Sequence, residues 1–163
     1  MPDTVFPSPV LVVLLGAAGS GKSTTAAAWP PESVLELDTF RELVSEDVLH
    51  QDATDEAVYA LGTVVESRLA RRLTTVVDAD HTDVALRTKL LAIAERYDVP
   101  AVALVMTTPL RLCLDRNARR PPFLQLAEEA VRAQYVQALD ATAGLRAEGF
   151  DRIEALFGGG RPG

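Results

Sequence analysis

The stretch 10-VLVVLLGAAGSGKST-24 decides how the rest of the chain is read. Its first part, 10-VLVVLL-15, is apolar without alternation, the pattern of a strand buried on both faces of a parallel sheet. Its second part, 16-GAAGSGKS-23, fits G-x-x-x-x-G-K-[ST] and stands where that motif works, after a buried strand and at the start of a helix. Glycines let successive backbone N–H groups close around phosphate oxygens, and the helix N-terminus adds partial positive charge. The segment Gly16, Ala17, Ala18, Gly19, Ser20, Gly21, Lys22, Ser23 and Thr24 is therefore expected to cradle the phosphates of ATP or another nucleoside triphosphate. Within it, Lys22 is expected on the β/γ-phosphates and Ser23 on Mg²⁺.

Outward from this loop, strand and helix alternate. The helix from about Lys22 stops at 29-WPP-31, because proline cannot continue it. A strand over 33-SVLEL-37 leads into a helix near Thr39, and polar residues around 50-HQDATDEA-57 read as a loop. The next helix is capped by Thr54 and runs to about Arg72, with Val58, Leu61, Val65 and Leu69 at helical spacing toward the sheet. Then come a strand at 73-LTTVVD-78, a helix over 82–97, a strand at 101-AVALVM-106 and a helix from Pro109 to about Arg120. After 121-PPF-123 follow a long helix over 127–149 and a strand at 152-RIEALF-157. This order predicts an α/β fold: a doubly wound parallel sheet of about five strands, helices on both faces, and a helical lid bearing arginines. Residues 1–157 are expected to form one domain and 158-GGGRPG-163 a flexible tail.

Composition narrows the function. At 163 residues the chain suits a single domain, and Cys113, its one cysteine, rules out an intrachain disulfide. One cysteine with His50 and His81, far apart in sequence, argues against structural zinc. The net charge of -7 argues against a surface that coats nucleic acid, yet leaves room for a pocket gripping one strand end with a few arginines. The apolar run at 10-VLVVLLGAA-18 is too short to cross a membrane, and Asp3 precedes it where a signal peptide carries Lys or Arg. The expectation is a cytoplasmic protein with no membrane partner. No N-K-x-D guanine signature is present, which points away from a regulatory GTPase and toward a kinase.

Asp38 ends an apolar run at 36-ELDTFREL-43. Its plain role would be to cap the following helix. However, Thr39 and Glu42 have the spacing of a capping box, which is expected to free Asp38 for chemistry at the carboxyl end of a strand adjoining the phosphate-loop strand. There it would accept the proton of an attacking hydroxyl, while Arg41, one turn on, would hold an anion on the acceptor. In 111-RLCLDRNARRPPF-123, Arg116, Arg119 and Arg120 are spaced i, i+3, i+4 and so are expected to share one helix face. Arg119 has Asp115 four residues before it as an ion-pair partner, so Arg116 and Arg120 are the candidates for a lid on the donor phosphates. In 78-DADH-81, Asp78 is open between a Mg²⁺-associated water, a lid arginine and a local turn, whereas His81 reads as a loop residue.

Together, LVVLLGAAGSGKST, LDTFRELVSED, TTVVDADHTD, LCLDRNARR and LRAEGF resemble the 5′-OH polynucleotide kinase family, especially the kinase domain of bacterial RNA-repair enzymes. The resemblance implies Lys22 and Ser23 for donor phosphate and Mg²⁺, Asp38 as general base for a 5′-hydroxyl, Arg41 on the neighbouring phosphate, and Arg116 and Arg120 in the lid. It implies a 5′-OH nucleic-acid end as acceptor, with a repair partner on a separate protein. Relatives carry a further lid arginine where this chain has Pro121-Pro122-Phe123, and D-A-T-N where it has DADH. A small-molecule kinase acting on a sugar, metabolite or antibiotic hydroxyl is the enzymatic alternative, and a non-catalytic nucleotide-binding module the other.

Overall fold

In the computed structural model, which describes residues 5–46, 54–79 and 84–157, the apolar run becomes β1 (Leu11–Leu15), buried along its whole length. Successive side chains of a strand point to opposite faces. Leu11, Val13 and Leu15 thus enter one core, and Val10, Val12 and Leu14 the other.

Strands β3 (Thr75–Asp78) and β4 (Ala101–Met106) pair with β1 on either side. Outside them lie β2 (Val34–Glu36) and β5 (Arg152–Leu156), giving a five-stranded, all-parallel sheet ordered β2-β3-β1-β4-β5. Contrary to the expectation from sequence, the strand before Asp38 does not adjoin the phosphate-loop strand; β3 lies between them. Every residue of β3 is buried, which suits an interior strand, whereas β2 is short and partly exposed, which suits an edge.

The helices are α1 (Lys22–Ala26), α2 (Leu37–Ser45), α3 (Thr54–Ala70), α4 (Val84–Arg96), α5 (Leu110–Ala118) and α6 (Glu128–Glu148). One face of the sheet packs against Leu61, Val65 and Leu69 of α3, Leu86, Leu90 and Ile93 of α4, and Leu145 of α6; Val58 sits at that core's margin. The other is covered by Ala26 of α1 with Trp29 and Phe6, whose ring centroids are 5.8 Å apart. Arg152 of β5 lies 5.7 Å from the Phe6 centroid and closes that face. The α/β architecture and the positions of its elements agree with the sequence pattern. The tail 158–163, residues 50–53 of the expected loop, and His81 lie outside the described residues. Among the described residues, no helix is long and apolar enough to cross a membrane.

Two helix ends differ from expectation. Helix α2 begins at Leu37, so Thr39 is inside the helix and the capping box does not form; Glu36 is the cap residue, without a side-chain cap bond. Leu37, 2% exposed, anchors the strand-to-helix junction in the core and so fixes the start ahead of Thr39. Asp38 consequently lies in the first turn, where the helix dipole favours a carboxylate. Helix α5 stops at Ala118, with Arg119 as its C-cap and Arg120 beyond it, so the three arginines do not share a helix face. Pro121 explains the stop, because the residue before a proline avoids the helical region. Among the described residues, no ion pair joins Asp115 to Arg119.

One buried ion pair ties α4 to α6. Arg87, 2% exposed, donates from Nε and Nη2 to the two carboxylate oxygens of Glu148 at 2.7 and 2.8 Å. Removing one partner of such a pair strands a buried charge. Glu148→Ala is expected to destabilise the fold by about 3 kcal/mol, read as a lower midpoint in urea denaturation. A loss below about 0.5 kcal/mol would show that Arg87 finds other partners.

Candidate active site

A loop that turns its N–H groups inward leaves its carbonyls pointing outward, and each buried carbonyl needs a donor. The donors can be named. Lys22 folds back so that its ammonium donates to the carbonyls of Gly16 at 2.7 Å and Ala17 at 3.1 Å. Arg116 Nη1 of α5 donates to the Gly19 carbonyl at 3.2 Å, and Thr108 Oγ1 to the Ser20 carbonyl at 2.7 Å. Thr25 N–H closes the end of the loop on the Gly21 carbonyl at 2.9 Å.

Close packing explains two of the glycines. Gly19 has φ +78, and a Cβ there would lie 2.4 Å from the Cys113 carbonyl oxygen of α5. A Cβ on Gly16 would lie 2.8 Å from Met106 Cβ at the end of β4. The loop is thus seated on the β4–α5 connection. Cys113 beneath it is fully buried, and burial pushes its thiol pKa up, against the lowering influence of the nearby Arg116 and Lys22 charges. It stays a protonated, inert packing residue at neutral pH.

Beside the loop, Ser23 Oγ donates to Asp78 Oδ2 at 3.3 Å. Asp78 ends β3, opposite Leu14 of β1 in the register, so sheet pairing itself carries the carboxylate to the loop. A hydroxyl and a carboxylate facing one phosphate cradle fit Mg²⁺, which binds through one or two protein oxygens, substrate phosphates and water. No cluster of three or more His, Cys, Asp or Glu suited to a metal occurs among the described residues.

At the same carboxyl edge of the sheet, Arg41 Nη1 of α2 donates to Asp38 Oδ1 at 2.6 Å and Nε to Thr54 Oγ1 of α3 at 3.2 Å. The pair is lopsided: the Arg41 side chain is 1% exposed and that of Asp38 46%. Arg41 is therefore neither on the surface nor open to an acceptor in this arrangement. It donates to Asp38, whose side chain stays half exposed.

After α5, the chain is clamped by Asn117, which donates from Nδ2 to the Leu126 carbonyl at 2.8 Å and accepts from Leu126 N–H at 3.0 Å. Gln125 Nε2 donates to the carbonyls of Ala118 and Arg120 and so ties the end of that helix. Arg120 is exposed and donates to the Leu124 carbonyl at 3.4 Å. Phe123, in the 3-10 turn Pro122–Leu124, is 73% exposed. A cavity of about 610 Å³ lies at the opposite, amino-terminal edge of the sheet near Pro100, Ala101 and Glu148, and contains no phosphate-loop residue.

Of the residues singled out in the sequence, the fold places Lys22, Ser23, Asp38, Asp78 and Arg116 on one edge of the sheet. It missed Thr108 and Gln134, whose side chains satisfy the loop backbone. A threonine just past a strand end was a usable signal for Thr108. Gln134 stands among polar residues of a long helix and carried none.

Residues 11–145 match the family model described as AAA domain. No curated protein matches the chain. Among solved structures, a chain of the Pnkp1/Rnl/Hen1 RNA repair complex superposes with TM-score 0.67 at 18% identity, over 88% of this chain and 48% of that one. The present chain thus spans about half the length of that relative. The Mycobacterium tuberculosis APS kinase CysC, in complex with AMPPNP and APS, gives TM-score 0.55 at 20% identity, over 70% of this chain and 71% of the other. Shikimate kinase from Acinetobacter baumannii, in complex with shikimate, gives 0.52 at 19%, over 88% and 82%. The fold is that of the P-loop kinases, shared by acceptors of different chemistry.

The packing of Gly19 is directly testable. Gly19→Ala combines a positive φ with a backbone clash, and should cost about 2 kcal/mol or more in urea denaturation while weakening ATP binding. Stability and affinity equal to the parent protein would mean that the loop does not rest on Cys113.

Proposed function

The chain belongs to the AAA domain family, and we propose that it is a Mg²⁺- and ATP-dependent kinase that moves the γ-phosphate to the 5′-hydroxyl end of a nucleic acid. The observation that carries the kinase reading is Asp38, held by buried Arg41 on the sheet edge that also presents Lys22, Ser23 and Asp78. A phosphate cradle alone binds nucleotide. A fixed, outward-facing carboxylate beside it adds a place for an acceptor hydroxyl.

In this reading the hydroxyl donates its hydrogen bond to Asp38. The acceptor oxygen bonds to the γ-phosphorus as the bond from that phosphorus to the β–γ bridging oxygen breaks, the proton passes to the Asp38 carboxylate, and ADP leaves. Lys22 and the loop N–H groups hold the phosphates, and Arg116 and Arg120 of the lid segment add positive charge that stabilises the negative charge moving onto the β–γ bridging oxygen as its bond to the γ-phosphorus breaks. Ser23 and Asp78 would hold Mg²⁺, directly and through water, and the ion would neutralise phosphate charge. Arg41 orients Asp38, and its shielded charge lies beneath the place where an anionic acceptor would approach.

The nucleic-acid acceptor is supported by the motif resemblance and by the likeness to the RNA-repair chain. A net charge of -7 fits a site that holds only terminal nucleotides, inside the cytoplasm. The second reading, a small-molecule kinase, is favoured by the exposed Pro121-Pro122-Phe123 turn where a further lid arginine was expected.

The test is transfer of label from γ-labelled ATP, with Mg²⁺, to 5′-OH RNA and DNA oligonucleotides. Label on the 5′ end supports the proposal; no transfer to any oligonucleotide, with transfer to a small hydroxyl compound, replaces it by the second reading. Asp38→Ala should lower kcat by roughly 10²-fold or more with ATP affinity nearly unchanged. Survival of turnover in the folded variant would make Asp38 a helix-start residue only. Arg116→Ala and Arg120→Ala should each slow turnover by about 10²-fold, and Arg119→Ala by no more than about threefold. Equal effects for all three would count against a lid role.

A further inference from the structure

One member of the phosphate cradle is already occupied by the chain itself. Ala18 N–H donates to Gln134 Oε1 of α6 at 2.9 Å, across 116 positions of sequence. An N–H can only donate, so the amide presents its carbonyl oxygen, the same kind of acceptor that a phosphate oxygen offers. The contact is held by packing: Val131, one turn before Gln134, is 0% exposed, and Ala138, one turn after, is 6%. These two anchor the α6 face from which Gln134 projects.

The position of Ala18 within the cradle can be read from Lys22. Its ammonium, which serves the β/γ-phosphates in such loops, rests on the carbonyls of Gly16 and Ala17, next to Ala18. Ala18 N–H thus belongs to the segment of the loop next to the Lys22 ammonium. One N–H cannot give a full bond to both Gln134 and a phosphate oxygen.

We infer that Gln134 is a placeholder for an outer phosphate oxygen: it satisfies Ala18 N–H while the loop is empty and must be displaced when a nucleoside di- or triphosphate enters. This rests on the phosphate-loop reading above. It makes Gln134 a positioning residue that couples the loop to α6. That helix begins just beyond the segment clamped by Asn117 to Leu126, so loop occupancy and the arginine-bearing lid share one connection.

The experiment compares the full chain with Gln134→Ala and Gln134→Met by calorimetric titration with Mg²⁺ and a non-hydrolysable ATP analogue, and with AMP. Met keeps the length of the side chain but removes the acceptor. Both variants should bind the triphosphate analogue about fivefold more tightly than the parent, because no loop bond need be broken. AMP, which lacks outer phosphates, should not change. Gln134→Glu keeps an acceptor but adds a negative charge, and should weaken the triphosphate at least about tenfold. The backbone amide resonance of Ala18, followed by NMR without nucleotide, should shift in all three. Unchanged or weaker triphosphate binding by the Ala and Met variants, with the parent binding normally, overturns the placeholder and leaves the kinase reading intact. Failure of the parent to bind any nucleotide overturns both.

Discussion

The structure depends on satisfying the outward carbonyls of one tight loop. A backbone that turns its N–H groups toward a common centre must find donors for the opposite side, or lose the stability that each unmade buried hydrogen bond costs. Lys22, Thr108 and Arg116 are those donors. Their demands set much of the rest. Thr108 must follow a strand that ends beside β1, and Arg116 must ride on a helix seated against Gly19. Helix α5 is therefore part of the foundation of the loop.

The same edge of the sheet explains why the acidic residues converge. Parallel pairing aligns the carboxyl ends of the strands, so Asp78 meets Ser23 without any special loop, and α2 begins at Leu37 right after β2, with Asp38 in its first turn. Burial then divides the roles. Arg41 is shielded and donates to Asp38 and Thr54, while Asp38 remains half exposed. An exposed ion pair of this kind would hold little; with one partner buried, the geometry of the carboxylate is fixed.

Much of this was legible in the amino-acid sequence, for reasons that differ by residue. The loop was readable because its glycines, Lys22 and Ser23 are required in a fixed local order. The strands were readable because both faces are buried, so β1 and β4 are unbroken apolar runs. The order of the strands was not, because which strand lies next to β1 depends on crossovers, and β2 proved to be the edge. The start of α2 was misread because local capping chemistry lost to the burial of Leu37. Arg87 and Gln134 were invisible because their partners, Glu148 and Ala18, lie far away in sequence.

The central claim is that Lys22, Ser23, Asp78 and Asp38 form one site for a metal-bound triphosphate and an acceptor. A crystal structure with Mg²⁺ and a non-hydrolysable ATP analogue tests it most directly. It should show the outer phosphates on the loop N–H groups, Lys22 moved from the Gly16 and Ala17 carbonyls onto them, the metal between Ser23 and Asp78, and Asp38 facing the terminal phosphate. A nucleotide seated elsewhere, such as the cavity beside Pro100, or a metal bound away from Ser23, would contradict it.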